Sequence, residues 1–130
     1  MPLFTVTMKA GRTADEKNTI SRAIHGASIK AGYPVDDMFQ RFLCLEQGDL
    51  KVDLNYPGLP KPRTEKILMI EVLLSSGTDA DRKTRLLAAL VEELEGAGTD
   101  PNDVMVFFGE IDRASSSFGG GRVAPPVAIS

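Results

Sequence analysis

The chain has 130 residues, 42% hydrophobic and 25% charged, with a net charge of −3, a balance that fits one globular domain with enough apolar material for a core. The acidic balance excludes nucleic acid as the main partner, because phosphate binding requires a basic surface. No apolar run approaches the roughly 20 residues of a membrane span, and the start lacks the basic and apolar regions of a signal peptide; a cytoplasmic location with no membrane partner is expected.

The chain opens Met1-Pro2-Leu3-Phe4-Thr5-Val6-Thr7-Met8, with no charge before Lys9. That pattern predicts a strand over residues 2–8. Initiator methionine is normally trimmed before a residue as small as proline, which would leave the secondary amine of Pro2 at the end of a packed strand. A free α-amine has a pKa of about 7.7–8.0, and burial lowers it by disfavouring the cation. Such a group can serve as base or nucleophile near neutral pH. The plainer alternative is that Pro2 is simply tolerated at the start of an edge strand.

A helix follows, because Ile20, Ala23, Ile24, Ala27 and Ala31 recur at helical spacing. Thr13 is its N-cap, with Glu16 three residues on completing a capping box, and Gly32 suits the left-handed position after its end. His25, one residue past Ile24, reads as a partly buried packing histidine rather than a base. Asp37 lies in the turn that follows, where a carboxylate is a turn or cap residue by default. A second strand is predicted over 39–46. Cys44, the only cysteine, sits in its apolar run Phe42-Leu43-Cys44-Leu45 and reads as a buried structural thiol; no disulfide can form within the chain.

Residues 48–66 are rich in proline and glycine and form a connecting loop long enough to suggest function. A third strand over 67–74, a second helix with a stripe of Leu87, Leu90, Val91 and Leu94, and a fourth strand over 104–109 complete the pattern. This second half repeats the first at an offset of 66 residues. Gly11 matches Gly77, Lys17 matches Lys83, Ile20, Ala23 and Ile24 match Leu86, Ala89 and Leu90, and Asp37 matches Asp103. The fold class is therefore α/β (α+β): two β-α-β repeats, residues 1–47 and 67–110, in a single domain. Each crossover makes its strand pair parallel and right-handed, and the four strands form one sheet with both helices on one face. The sheet is apolar on both sides and no third layer is available, so oligomerisation is expected.

The tail, 111–130, carries Ser115-Ser116-Ser117-Phe118-Gly119-Gly120-Gly121-Arg122. Phe118 and the apolar 123–129 segment suggest an ordered loop and short hairpin that caps the site or a neighbour. The three glycines lack the Lys-Ser/Thr partner of a phosphate loop. One histidine and one cysteine cannot make a standard metal site. No cofactor is expected.

Taken in order, Met1-Pro2-Leu3, Gly11-Arg12-Thr13, Ile24-His25-Gly26-Ala27, Pro34 through Asp37 with Phe39-Gln40, Arg63-Thr64 and Ser117-Phe118-Gly119-Gly120-Gly121 resemble the tautomerase superfamily. The two fused units are similar to its malonate semialdehyde decarboxylase group. The resemblance covers most of the chain. It implies a homotrimeric enzyme, an isomerase (tautomerase) or a lyase (decarboxylase or hydratase), acting on a small oxo-carboxylic acid. It implies Pro2 as acid/base with Asp37 as its helper. The family's carboxylate-binding arginine after the third strand is replaced by Thr78, and its aromatic residue two before Phe118 by Ser116. A positive group is still required for a buried carboxylate. Arg63, just before the third strand, is the first candidate, then Arg122 after the glycine run and Arg41 on the second strand; Arg12 reads as a cap of its own turn. Phe39 and Phe118 are candidates to line an apolar pocket. The alternative is a family member whose site has decayed, kept as a binding or assembly module.

Overall fold

The computed structural model describes residues 1–126. Its order is β1 (Leu3–Lys9), α1 (Ala14–Lys30), β2 (Phe39–Leu45), β3 (Leu68–Ser75), α2 (Ala80–Gly96) and β4 (Val104–Ile111). The sheet runs β2-β1-β3-β4. β1 pairs parallel with β2 and β3 with β4, as the two crossovers require. The units join through an antiparallel β1–β3 pair in which Leu3 meets Leu73. The first residues of β1 and β2 therefore share one end of the sheet with the last residues of β3 and β4.

The repeat is kept to the residue in the helices: both have 17 residues, Ala14–Lys30 and Ala80–Gly96. Thr13 caps α1, its side chain accepting from the Glu16 amide while Glu16 returns a bond to the Thr13 amide. Asp79 caps α2 through the amide of Arg82. Gly32 and Gly98 follow the helix ends at φ of 98° and 99°, where a Cβ would be strained.

One face of the sheet presents Phe4, Val6, Met8, Leu68, Ile70, Val72 and Leu74 to both helices, all essentially buried. The helices answer with Ile20, Ala23, Ile24 and Ala27 from α1 and Leu86, Ala89, Leu90 and Leu94 from α2. Each buried Leu or Ile here contributes about 1.5–3 kcal/mol. The α2 stripe corrects the sequence expectation: Leu87 is exposed and Val91 half-buried, because the sheet selects the Leu86 track, which is the one in register with Ile20.

The opposite face of the sheet has no covering layer among the described residues. Leu43 and Phe107 are 45% and 56% exposed there, the uncovered apolar face that the strand composition foreshadows. Cys44 is exposed rather than buried. It lies near the end of β2, an edge strand, where less of the helical layer overhangs. Past β4 the chain makes a 3-10 turn, Arg113–Ser115, and then an irregular loop in which the Ala124 amide donates to the Ser116 carbonyl. No strand occurs in the described part of the tail, so the expected hairpin is absent there; residues 127–130 of the anticipated 123–129 segment and beyond lie outside the described residues. Among the described residues, no helix is long and apolar enough to cross a membrane.

Candidate active site

Strand direction decides what can meet Pro2. Pro2 is fully buried at the start of β1. Asp37 arrives beside it from the turn between α1 and β2, where its amide donates to the Pro34 carbonyl at 3.1 Å. The Asp37 Oδ2 atom lies 3.1 Å from the α-amine of Met1, and both side chains are largely shielded. The other oxygen, Oδ1, is buried with no hydrogen-bond partner among the described residues. A buried carboxylate oxygen left unpaired is costly, so the position is set up for a donor that is not part of the fold.

The second repeat supplies a reference for this arrangement. Asp103, in register with Asp37, is buried and fully paired: its Oδ1 accepts from the Thr64 amide and its Oδ2 from the Thr64 hydroxyl, both at 2.7 Å. Thr64 lies just ahead of β3, much as Met1 lies ahead of β1. One copy thus uses its aspartate to pin a loop, while the other turns the equivalent carboxylate on the chain's own amine.

A cleft of about 390 Å³ opens at this end of the sheet. Its walls are Met1, Leu3, Phe39, Leu73, Ile111 and Phe118, with Ser115, Ser116 and Ser117 along one side. Phe39 and Phe118 stack with ring centroids 5.6 Å apart, so the two aromatic residues singled out in the sequence do meet, and they meet beside the amine.

The arginines divide by position. Arg63 is in the loop ahead of β3, at the end of the sheet remote from Pro2; the strand between spans roughly 20–25 Å. There its Nη1 donates to the Asp53 carbonyl at 2.6 Å, while its Nε is buried with no partner among the described residues. Arg41 lies on the uncovered sheet face, its Nε donating to Thr5 Oγ1 at 2.7 Å, beside Glu71 and Phe107 in a shallow depression. Arg122 is exposed in the glycine-rich loop next to Phe118. Arg12 ties α1 to the connecting loop, Nη2 donating to the Lys66 carbonyl at 2.6 Å; burial pulls its guanidinium below the ordinary value, against the pull of Glu16 and Asp103. His25 is half-buried with Nε2 2.8 Å from the Val35 carbonyl, a structural tie. Sequence reasoning passed over Arg113, which stands on Phe118 with its guanidinium carbon 5.3 Å from the ring centroid.

A larger cavity, about 510 Å³, lies at the far end, between the start of α1 and the end of α2. Its polar groups are mostly engaged with one another, through Lys66–Glu16 at 3.3 Å and the Asp103–Thr64 pair. The smaller cleft, with an unpaired buried carboxylate at its edge, is the better candidate for chemistry. Among the described residues no group of three or more His, Cys, Asp or Glu side chains could hold a metal ion.

Two fused β-α-β units sharing one sheet, with both helices on one face, define a tautomerase-type fold. A family model described as tautomerase enzyme matches residues 37–119, and the chain belongs to that family. Among solved structures, a malonate semialdehyde decarboxylase, analysed for decarboxylase and hydratase activities, is similar at 28% identity with a TM-score of 0.85, covering 93% of both chains. A second malonate semialdehyde decarboxylase, inhibited by 3-bromopropiolate, is 25% identical with a TM-score of 0.84, covering 93% of this chain and 92% of that one. A fused 4-OT shares the fold at 20% identity with a TM-score of 0.77, over 94% and 95% of the two chains. The sequence has no match among curated proteins.

Proposed function

We propose that the chain, once Met1 is removed, is an enzyme that uses the secondary amine of Pro2 as acid/base on a small oxo-carboxylic acid. The observation that carries this reading is the pairing at the end of β1: an amine 3.1 Å from Asp37 Oδ2, with Pro2 itself buried and an apolar cleft alongside. With Met1 gone, the terminal nitrogen moves back by one residue, about 3 Å along the chain. It then lies between the Met1 position and Leu3, which both wall the cleft, and close enough to feel the Asp37 charge.

In the keto–enol direction, neutral Pro2 takes a proton from the carbon next to the carbonyl and, now cationic, delivers that same proton to the carbonyl oxygen. The reverse returns the proton from cationic Pro2 to carbon. Asp37 stabilises the cationic amine through its negative charge and so helps to hold the proton until it is delivered. The apolar walls from Leu3, Leu73, Ile111 and the Phe39–Phe118 stack exclude water from that exchange. In a decarboxylation of the malonate semialdehyde type, cationic Pro2 would instead polarise the aldehyde oxygen as carbon dioxide leaves. The 28% identity to a malonate semialdehyde decarboxylase favours keeping that second reaction in view.

Assembly fits the same picture. The uncovered face with Leu43 and Phe107 requires a cover, and a fused 4-OT of the same fold, 21% identical, is a symmetric trimer; a homotrimer of this chain is proposed. The test is turnover of phenylpyruvate and of malonate semialdehyde by the processed chain and by its Pro2→Ala variant. Turnover of either substrate that collapses in Pro2→Ala supports the reading. Turnover of neither leaves a binding or assembly module as the better account.

A further inference from the structure

Against Phe118, a wall of the cleft beside Pro2, lies a cation that no motif announces. Arg113 opens the 3-10 turn that follows β4. Its Nε donates to the Pro125 carbonyl, its Nη1 to Ser75 Oγ at 3.1 Å, and its guanidinium lies over the Phe118 ring. Phe118 in turn stacks on Phe39, and both rings wall the cleft.

Strand register brings this cation close to one wall of the cleft. Ser75 pairs with Ile111 at the last rung of β3 and β4, and Ile111 is itself a wall of the cleft. Leu73, another wall, is two residues back on the same face as Ser75, about 7 Å away. The segment after β3 brings no cation of its own: Thr78 stands there, and its hydroxyl is committed to the Ser75 carbonyl at 2.6 Å. Arg113 thus reaches across from β4 to the spot that the β3 end leaves uncharged.

The bonding of Arg113 is incomplete. A guanidinium has five N–H donors, and among the described residues only two of them meet acceptors. The half-buried side chain takes part in no ion pair among those residues. Its aromatic stacking and its Ser75 bond fix the plane of the fork, which lowers the ordering cost of taking a planar anion.

We infer that Arg113 is the carboxylate-binding residue of this cleft, taking an organic acid through its Nη1 and Nη2 edge while the acid's apolar part lies against Phe39, Phe118 and Leu73. This rests on the cleft being the substrate site proposed above and names the group that orients the substrate there. It selects monocarboxylates with an apolar or aryl substituent over dianions, since a single fork is offered.

The experiment measures binding of phenylacetate and of its neutral counterpart phenylacetamide to the processed chain, by NMR titration, for wild type, Arg113→Met and Arg113→Lys. The acid-to-amide preference is the readout, because distortion of the tail would weaken both ligands together. Wild type should prefer the acid, and Arg113→Met should lose about 10- to 100-fold of that preference, the worth of a charge-assisted pair. Arg113→Lys keeps the charge without the fork and should fall between; it also decides the matter if the methionine variant fails to fold. An unchanged preference in either folded variant overturns the inference. Should phenylpyruvate turn over through Pro2 with KM unaffected by Arg113→Met, the inference fails and the catalytic reading survives. If the acid preference depends on Arg113 but no oxo acid turns over, the catalytic reading fails and the binding assignment stands.

Discussion

Replacing Asp37 with asparagine separates its charge from its shape. The variant keeps the backbone bond to Pro34 and a polar head of the same size, and removes only the anion. The Met1 amine sits 3.1 Å from Oδ2, and after processing the Pro2 nitrogen takes over as the terminal amine about 3 Å further along the backbone. A charge separation of about 6 Å at an effective dielectric of about 20 is worth roughly 3 kcal/mol. That energy favours the cationic form of the amine, and Asp37 exerts it from a largely shielded position. The sign follows from which form the anion favours. Asp37 stabilises the cationic amine, so its removal lowers the amine's pKa. The assay is the pH profile of kcat/KM for phenylpyruvate enolisation by wild type and Asp37→Asn. The limb assigned to the amine should move to lower pH. A limb that stays in place, or moves upward, refutes the idea that Asp37 acts through its charge on Pro2.

Other expectations concern the scaffold that holds this end of the sheet. Leu90→Ala removes a fully buried side chain from the centre of the core and should cost about 2–5 kcal/mol, read as a lowered Tm and urea midpoint. A loss below about 1 kcal/mol would contradict the packing described. Thr64→Val leaves Asp103 Oδ2 without its hydroxyl donor and should cost about 1–3 kcal/mol, while the equivalent region around Asp37, served by a different partner, keeps its activity profile. Acid should free the connecting loop. The Asn55 and Tyr56 amides hold Asp53 below the ordinary 3.8, and Lys61 followed by the Asn102 amide does the same for Asp100. A folded value below the unfolded one means that these ties contribute fully above the unfolded pKa and are lost as pH falls through the folded one. Protection of the Asn55, Tyr56 and Asn102 amides, measured against the intrinsic exchange rate at each pH, should therefore hold at about pH 5 and be lost only below 3.8; loss of protection at higher pH would contradict these contacts.

What the sequence made legible was local or repeated. Thr13 with Glu16, and Gly32 with Gly98, mark helix ends through bonds between residues close in the chain, and the structure carries them unchanged. The 66-residue offset located the second helix because both copies solve the same packing problem. The misreadings were matters of long-range placement. Periodicity alone admits a stripe through Leu87 and Val91 beside Leu90 and Leu94, whereas the repeat register with Ile20, Ala23 and Ile24 already pointed to the Leu86, Ala89 and Leu90 track that the sheet buries. Cys44 sits in an apolar run, yet its strand is an edge strand, which a run of residues does not announce. The separation of Arg63 from Pro2 follows from the antiparallel β1–β3 pair, which the two parallel units do not by themselves dictate. Arg113 escaped notice for the same reason: it belongs to no motif, and it gains meaning only when β4 ends beside Ser75.

The central claim is that a free imino nitrogen at Pro2, rather than any side chain, moves the proton. It is tested most directly by comparing the processed chain with one in which Met1 is retained, both having identical side chains in the cleft apart from Met1. Deuterium uptake at C3 of phenylpyruvate, followed by proton NMR, reads the proton transfer itself. The processed chain should catalyse the uptake and the Met1-retaining chain should not; equal uptake by both would show that the amine is not the acid/base.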